Sequence, residues 1–269
     1  MRYAATVVAA LATAGKAHSF VSNSSSGARP SILRTSNRMR SGAALTMGLG
    51  IEDVLKNPKW PEQYPFKPAD FKRQDESVDT EFYEYPRLVL HIDDAAVKAL
   101  TEYYSKTLPE GADVLDICSS WVSHFPQNWK HGKRVGLGMN EYELSQNKQL
   151  DEYVVRDLNV NPAFPFPDSS FDVITCVVSI DYLVTLDKVF AEAARVLRPN
   201  GKFIISMSNR CFPTKAWKLW LSTNDFEHVF IVGAFFHYSG AFQPAQAHDI
   251  SPNPSRSDPM YIVEAVVKK

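Results

Sequence analysis

The sequence predicts an α/β domain built on a mainly parallel sheet with helices on both faces. Two observations carry this. Beyond residue 92, strand-sized apolar runs alternate with a segment of helical period, each bounded by Pro, Gly or Asn. Alternation at that spacing implies βαβ units, whose parallel strands are covered on both sides. Composition agrees: 269 residues, 45% hydrophobic and 22% charged, make an ordinary globular balance and exclude a fully disordered or collagen-like chain.

The N-terminus stands apart. Residues 1–51 hold six basic side chains and no acidic one. Arg2 precedes an apolar run, 4–14, far short of the ~20 residues that cross a bilayer but laid out like a signal-peptide core. Ala17 and Ser19 occupy the −3 and −1 positions of a cut that leaves Phe20 first. Residues 21–47 are rich in Ser and Arg and lack acids, the composition of an organelle transit peptide. Signal, then Phe, then transit segment resembles the bipartite presequence of algae with secondary plastids. The alternative is a secreted protein with a basic N-terminus. Cys118, Cys176 and Cys211 have no CxxC spacing, so neither a disulfide scaffold nor a structural zinc site is expected. The expectation is a presequence over 1–46, cleaved or disordered, and a mature protein beginning near Met47 that works in a plastid (chloroplast).

Residues 47–91, rich in Pro and aromatic side chains with little periodicity, read as an irregular arm over a core. The domain proper is expected over 92–269. Asp93 or Asp94 caps a helix with Val97, Leu100, Tyr104 and Leu108 on one face, stopped by Pro109-Glu110-Gly111. Strands are expected at 112–118, 134–138, 153–157 and 171–178. Thr185 opens a strongly amphipathic helix carrying Leu186, Val189, Phe190, Ala193 and Leu197, and Pro199-Asn200-Gly201 is expected to end it before a strand at 202–208. The tail has an aromatic stretch (212–220), an apolar segment (225–238), Gly240-Ala241-Phe242 and a β-type run (261–267).

In an open parallel sheet, ligands bind beyond the carboxyl ends of the strands. Those ends read Asp116-Ile117-Cys118-Ser119-Ser120, Gly138-Met139-Asn140-Glu141, Asp157-Leu158-Asn159 and Cys176-Val177 followed by Asp181-Tyr182. Phe164-Pro165-Phe166-Pro167-Asp168-Ser169-Ser170-Phe171-Asp172-Val173-Ile174 resembles the LPF-x-D-x-SFD-x-V segment of the type 11 domain of class I S-adenosylmethionine-dependent methyltransferases. Glu192 to Phe203 is similar to that family's E-x-x-RVL-[KR]-P-G-G segment. The resemblance covers about 92–208 and continues less specifically to the C-terminus. It implies a Rossmann-like fold with a seven-stranded, mostly parallel sheet, S-adenosyl-L-methionine as cofactor, and a small-molecule acceptor.

Residue by residue, the resemblance makes Asp116, Cys118, Ser119 and Ser120 the cofactor loop, Asn140 or Glu141 the substitute for the ribose acid, and Asp157 with the Leu158 backbone the adenine side, with Met139 and Val177 also cofactor-binding. The sequence departs from the family twice. The D-x-G-x-G-x-G glycines fall on Cys118, Ser120 and Val122, and the ribose acid falls on Gly138. Two readings of Ser119-Ser120 stay open: hydroxyl donors to the cofactor carboxylate at a helix N-terminus, or an N-cap in a plain strand-to-helix turn. Asp116 also reads as a loop anchor, Asp157 as a strand-end cap, and Asn140 and Glu141 as an N-cap and a solvated helix start. On the acceptor side, Asp181, Tyr182 and His91 are the catalytic candidates, although His91 also reads as a cap for the helix near Asp93.

His124 and His131 match no metal pattern, and none is expected. Residues 52–269 carry 23 basic and 30 acidic side chains, a net charge near −7 that argues against nucleic acid or anionic lipid held by bulk charge. The aromatic tail suggests an apolar or aromatic acceptor. The missing glycines keep a second function open: a non-catalytic methyltransferase-like protein that binds a plastid protein or pigment.

Overall fold

A computed structural model of the chain describes residues 50–269. The signal and transit segments, Phe20 and the start near Met47 lie outside the described residues.

Seven strands form one sheet in the order β3-β2-β1-β4-β5-β7-β6. They are β1 Val114–Ile117, β2 Arg134–Gly138, β3 Glu152–Val155, β4 Phe171–Val177, β5 Leu197–Met207, β6 Gln246–Asp249 and β7 Tyr261–Val266. β1 to β5 pair in parallel, while β7 runs antiparallel to both β5 and β6. Among the described residues six α-helices accompany them: α1 Asp79–Phe82, α2 Asp94–Thr107, α3 Glu141–Gln146, α4 Leu186–Val196, α5 Lys218–Leu221 and α6 Asp225–Ser239. This is the Rossmann-like class I methyltransferase architecture.

The pleat divides the core. Val114, Val173, Ile204 and Ile262 pack beneath α2 on one face. Leu115, Ile174, Phe203 and Val263 face α4 and α6 on the other. α2 starts where expected, with the Asp93 carboxylate accepting from the Ala96 amide at 2.8 Å. His91 does not cap it.

α6 is apolar all round, with residues 227–236 buried. Such a helix needs a partner on its outer side as well as the sheet, and residues 50–92 supply it. Trp60 stacks on His237 at 5.0 Å, Phe66 stacks on Phe235 at 5.1 Å, and Leu55 fills the space at Gly233. Further on, the arm hydrogen-bonds to the segment after β5, Asp75 donating to Thr214 O and Lys218 donating to Lys72 O, both at 2.8 Å.

Three local expectations need correction. The β1–β2 crossover contains no helix, so Ser119 and Ser120 neither cap one nor sit at its N-terminus. The loop is tied down by buried side chains instead, and Pro126 withholds a helix donor. α4 ends at Val196, before Pro199: Arg198 precedes a proline, which disfavours helix, and Leu197 already pairs with Phe171. Residues 198–201 form an irregularity in β5, with Asn200 at a φ of +65°. Finally, β3 stops at Val155, leaving Asp157 in the turn beyond it.

Candidate active site

A cavity of about 540 Å³ opens over the carboxyl ends of β1 to β4, where strand order reverses between β1 and β4. Residues 79–92 of the arm and 209–213 after β5 wall its outer side.

Its floor begins at the end of β1. Asp116 is buried and its carboxylate accepts from the hydroxyls of Ser119, Ser123 and Thr175, each at 2.7 Å. Burial outweighs these three donors and pushes its pKa up to about 6. Cys118 follows with a φ of +53°, the left-handed region that favours glycine, at the position of the first family glycine. The chain then doubles back, and the Ser119 amide donates to Leu137 O at 3.0 Å. The Ser119 carbonyl presses on Gly138, where a Cβ would lie 2.1 Å from its oxygen. The absent ribose acid has a steric cause: loop backbone occupies the place a side chain would need.

A carboxylate reaches the cavity from one turn further on. Glu143 lies in the first turn of α3 and lines the cavity, accepting from Ser120 Oγ at 2.5 Å and from the Arg87 amide at 2.6 Å. Glu141, the expected alternative, is exposed and points elsewhere. Asn140 caps α3 through the Glu143 amide at 3.0 Å, while its Nδ2 holds the arm by donating to Tyr83 O at 2.8 Å. The N-cap spacing Asn140-x-x-Glu143 was the sequence signal for this carboxylate.

The β3 end is built differently. Asp157 lines the cavity, and its Oδ1 accepts from the Asn159 amide at 2.8 Å in a tight turn. The local-cap reading therefore holds, with the residue still facing the cavity. Leu158 is buried beside it; Val177 and Met139 add apolar wall.

Of the acceptor-side candidates, Tyr182 lines the cavity and its Oη accepts from the Phe212 amide at 2.7 Å. His91 also lines it, its ring 5.3 Å from that of Phe212; partial burial lowers its pKa, partly opposed by Glu143. Asp181 does not line it. It is buried behind the wall with Oδ2 unpartnered, and burial pushes its pKa up to about 8. Sequence reasoning missed Glu143, Tyr83 and Asp79, all of which line the cavity. Tyr83 and Asp79 belong to the aperiodic arm, where no pattern marked them. Among the described residues, no group of three or more His, Cys, Asp or Glu side chains is placed to hold a metal ion, and no helix is long and apolar enough to cross a membrane.

Sheet order, antiparallel last strand and switch-point cavity together define the class I methyltransferase fold. Residues 120–205 match the family model described as a methyltransferase domain. The chain is 54% identical over 75 residues to a sterol 4-C-methyltransferase of Caenorhabditis elegans, which covers 26% of this chain and 22% of that protein. It is 28% identical over 106 residues to a ubiquinone/menaquinone biosynthesis C-methyltransferase of Laribacter hongkongensis, covering 35% and 42%. The chain thus spans less than half the length of these relatives. An S-adenosylmethionine-dependent methyltransferase from Aquifex aeolicus superposes with a TM-score of 0.46 at 16% identity, covering 76% of this chain and all of that one (100%).

Proposed function

We propose that the protein is an S-adenosylmethionine-dependent methyltransferase that acts on a small, apolar or aromatic acceptor in a plastid. One observation carries the reading: Glu143, Asp157 and Leu158 line a single cavity at the switch point of the sheet. That donor and acceptor set fits a nucleoside, with Glu143 facing the ribose hydroxyls, Asp157 the adenine amino group, and Met139 and Val177 against the base. The cavity volume is that of a site for a ligand of this size.

When bound, the cofactor supplies an activated methyl group on its sulfonium. The chain holds the acceptor in line with that methyl and excludes water. Tyr83, Tyr182 and Phe212 form the aromatic wall on the acceptor side, and the relatives named for sterols and for ubiquinone/menaquinone biosynthesis support an apolar acceptor. His91, kept neutral by its lowered pKa, is the group able to take a proton from an acceptor that must lose one.

A second reading rests on the β1 loop. The hydroxyls of Ser119 and Ser123 are committed to Asp116 and that of Ser120 to Glu143, which suits a protein that kept the fold and binds a plastid protein or pigment. Calorimetry of residues 47–269 with S-adenosylhomocysteine separates the two. Binding supports the enzyme; silence at millimolar ligand removes it. The plastid setting rests on the presequence pattern. A fluorescent fusion of residues 1–50 should enter a complex plastid, and Phe20→Ala should divert it; undiminished import of that variant would refute the bipartite reading.

A further inference from the structure

The deepest charged cluster lies where the arm meets the body. Asp79, 4% exposed, opens α1 and accepts from Arg73 Nη1 at 2.7 and 2.8 Å. Lys215, from the segment after β5, is 0% exposed, with its Nζ 3.2 Å from an Asp79 oxygen and 2.9 Å from Ser77 O, to which it donates. Charges are rarely buried this far unless paired on every side. Burial alone would raise the Asp79 pKa, but Arg73, Asn159 and Lys215 together hold it below its ordinary value.

The third partner, Asn159, carries the inference. Asn159 Nδ2 donates to Asp79 Oδ2 at 2.8 Å and to Tyr182 O at 2.9 Å, and its Oδ1 accepts from the Val184 amide at 2.7 Å. The Asn159 amide in turn donates to Asp157 Oδ1 at 2.8 Å. One side chain therefore joins the arm, the turn after β3 and the segment after β4. Asp79, Asn159, Asp157 and Tyr182 all line the cavity.

We infer that Asp79 is a positioning residue for the nucleoside half of the cavity, acting through Asn159, so that docking of the arm and binding of the nucleoside are coupled. The inference rests on the methyltransferase reading of the cavity for the identity of its ligand. A network in which Asn159 bonds at once to Asp79, Tyr182 O and the Val184 amide fixes the turn that carries Asp157, which a turn at a strand end does not do unaided. Coupling of this kind is reciprocal: if the arm orders the turn, a ligand on the turn steadies the arm.

The test uses Asn159→Ala, which leaves the Arg73–Asp79–Lys215 cluster intact, with Asp79→Asn as the partner variant. Three quantities are read: the dissociation constant for S-adenosylhomocysteine, the melting temperature, and amide exchange by mass spectrometry. Expected for Asn159→Ala is an affinity loss of roughly tenfold, the size of one hydrogen bond to a charged group. Exchange over residues 157–161 should quicken without ligand, and the slowing that ligand imposes on residues 73–79 in the wild type should disappear. Adding Asp79→Asn to Asn159→Ala should cost little further affinity, since both act along one path. If Asn159→Ala lowers only the melting temperature, leaving affinity and exchange over 157–161 unchanged, the inference is overturned. A wild type that binds no S-adenosylhomocysteine defeats the methyltransferase reading instead, and exchange over 157–161 still decides whether Asp79 and Asn159 order the turn. If Asp79→Asn does not fold, Asn159→Ala alone decides.

Discussion

The two halves of the cavity are built from the same kind of element, a strand end followed by a turn, yet they spend their polar groups in opposite directions. At β1, Asp116 faces inward and collects three hydroxyls, and the Ser119 carbonyl fills the space over Gly138. At β3, Asp157 uses one oxygen for its own turn and still lines the cavity. The first half holds its loop in place with side chains where a glycine loop relies on backbone freedom and a following helix. The second half keeps a carboxylate on offer. A loop that satisfies itself needs neither glycines nor a helix dipole, but it has fewer groups left for a ligand.

The strongest way to break this contrast is Asp116→Ala. Three buried hydroxyls would lose their shared acceptor, and a loss of about 3–5 kcal/mol is expected in urea unfolding. The pH dependence carries the same signature. The folded pKa of about 6 lies above the ordinary 3.8, so the folded state holds this proton more tightly than the unfolded chain. The contribution of Asp116 is complete below pH 3.8 and is lost as pH rises through 6. Asp116→Asn should flatten stability across that window; a pH profile identical to the wild type would contradict the burial argument.

Asp157→Ala should do the reverse, weakening S-adenosylhomocysteine by roughly 10- to 100-fold, about 1.5–3 kcal/mol, with less than about 1 kcal/mol lost in folding. An unchanged dissociation constant in a folded variant would remove Asp157 from the site.

Gly138→Ala probes the steric half of the contrast. Its Cβ would meet backbone, which cannot swing aside, so a cost of about 1–3 kcal/mol is expected. Gly138→Asp should likewise destabilise and should not improve binding, although it restores the family's acid; tighter binding would show that the loop yields.

The mildest change is Ser120→Ala. Its hydroxyl is half-buried and holds Glu143, so about 1 kcal/mol or less of stability is at stake. Because Glu143 is released, cofactor affinity should change within a few fold. Ser119→Ala should instead cost stability and leave affinity alone, since its hydroxyl faces Asp116. A large affinity loss in Ser119→Ala would reinstate that hydroxyl as a ligand donor.

The periodic part of the molecule was legible in the sequence alone: the parallel strands, α2 with its Asp93 cap, and the face of α4. Each depends on neighbours within a few residues, so spacing and capping chemistry suffice. Tertiary structure decided the rest. Whether 118–133 would be helix or loop depended on Asp116 finding Ser123 and on Thr175, 59 positions away along the chain. The choice of Glu143 over Glu141 as the cavity carboxylate followed from the phase of α3 against the arm. Asp79 and Lys215 are 136 positions apart, in segments without periodicity, and only the docking of the arm on the segment after β5 brings them within 3.2 Å. Local patterns record which side of an element is apolar. Which polar groups meet across the sheet depends on the closure of the whole chain, because a buried charge is tolerated only where distant segments bring all its partners together.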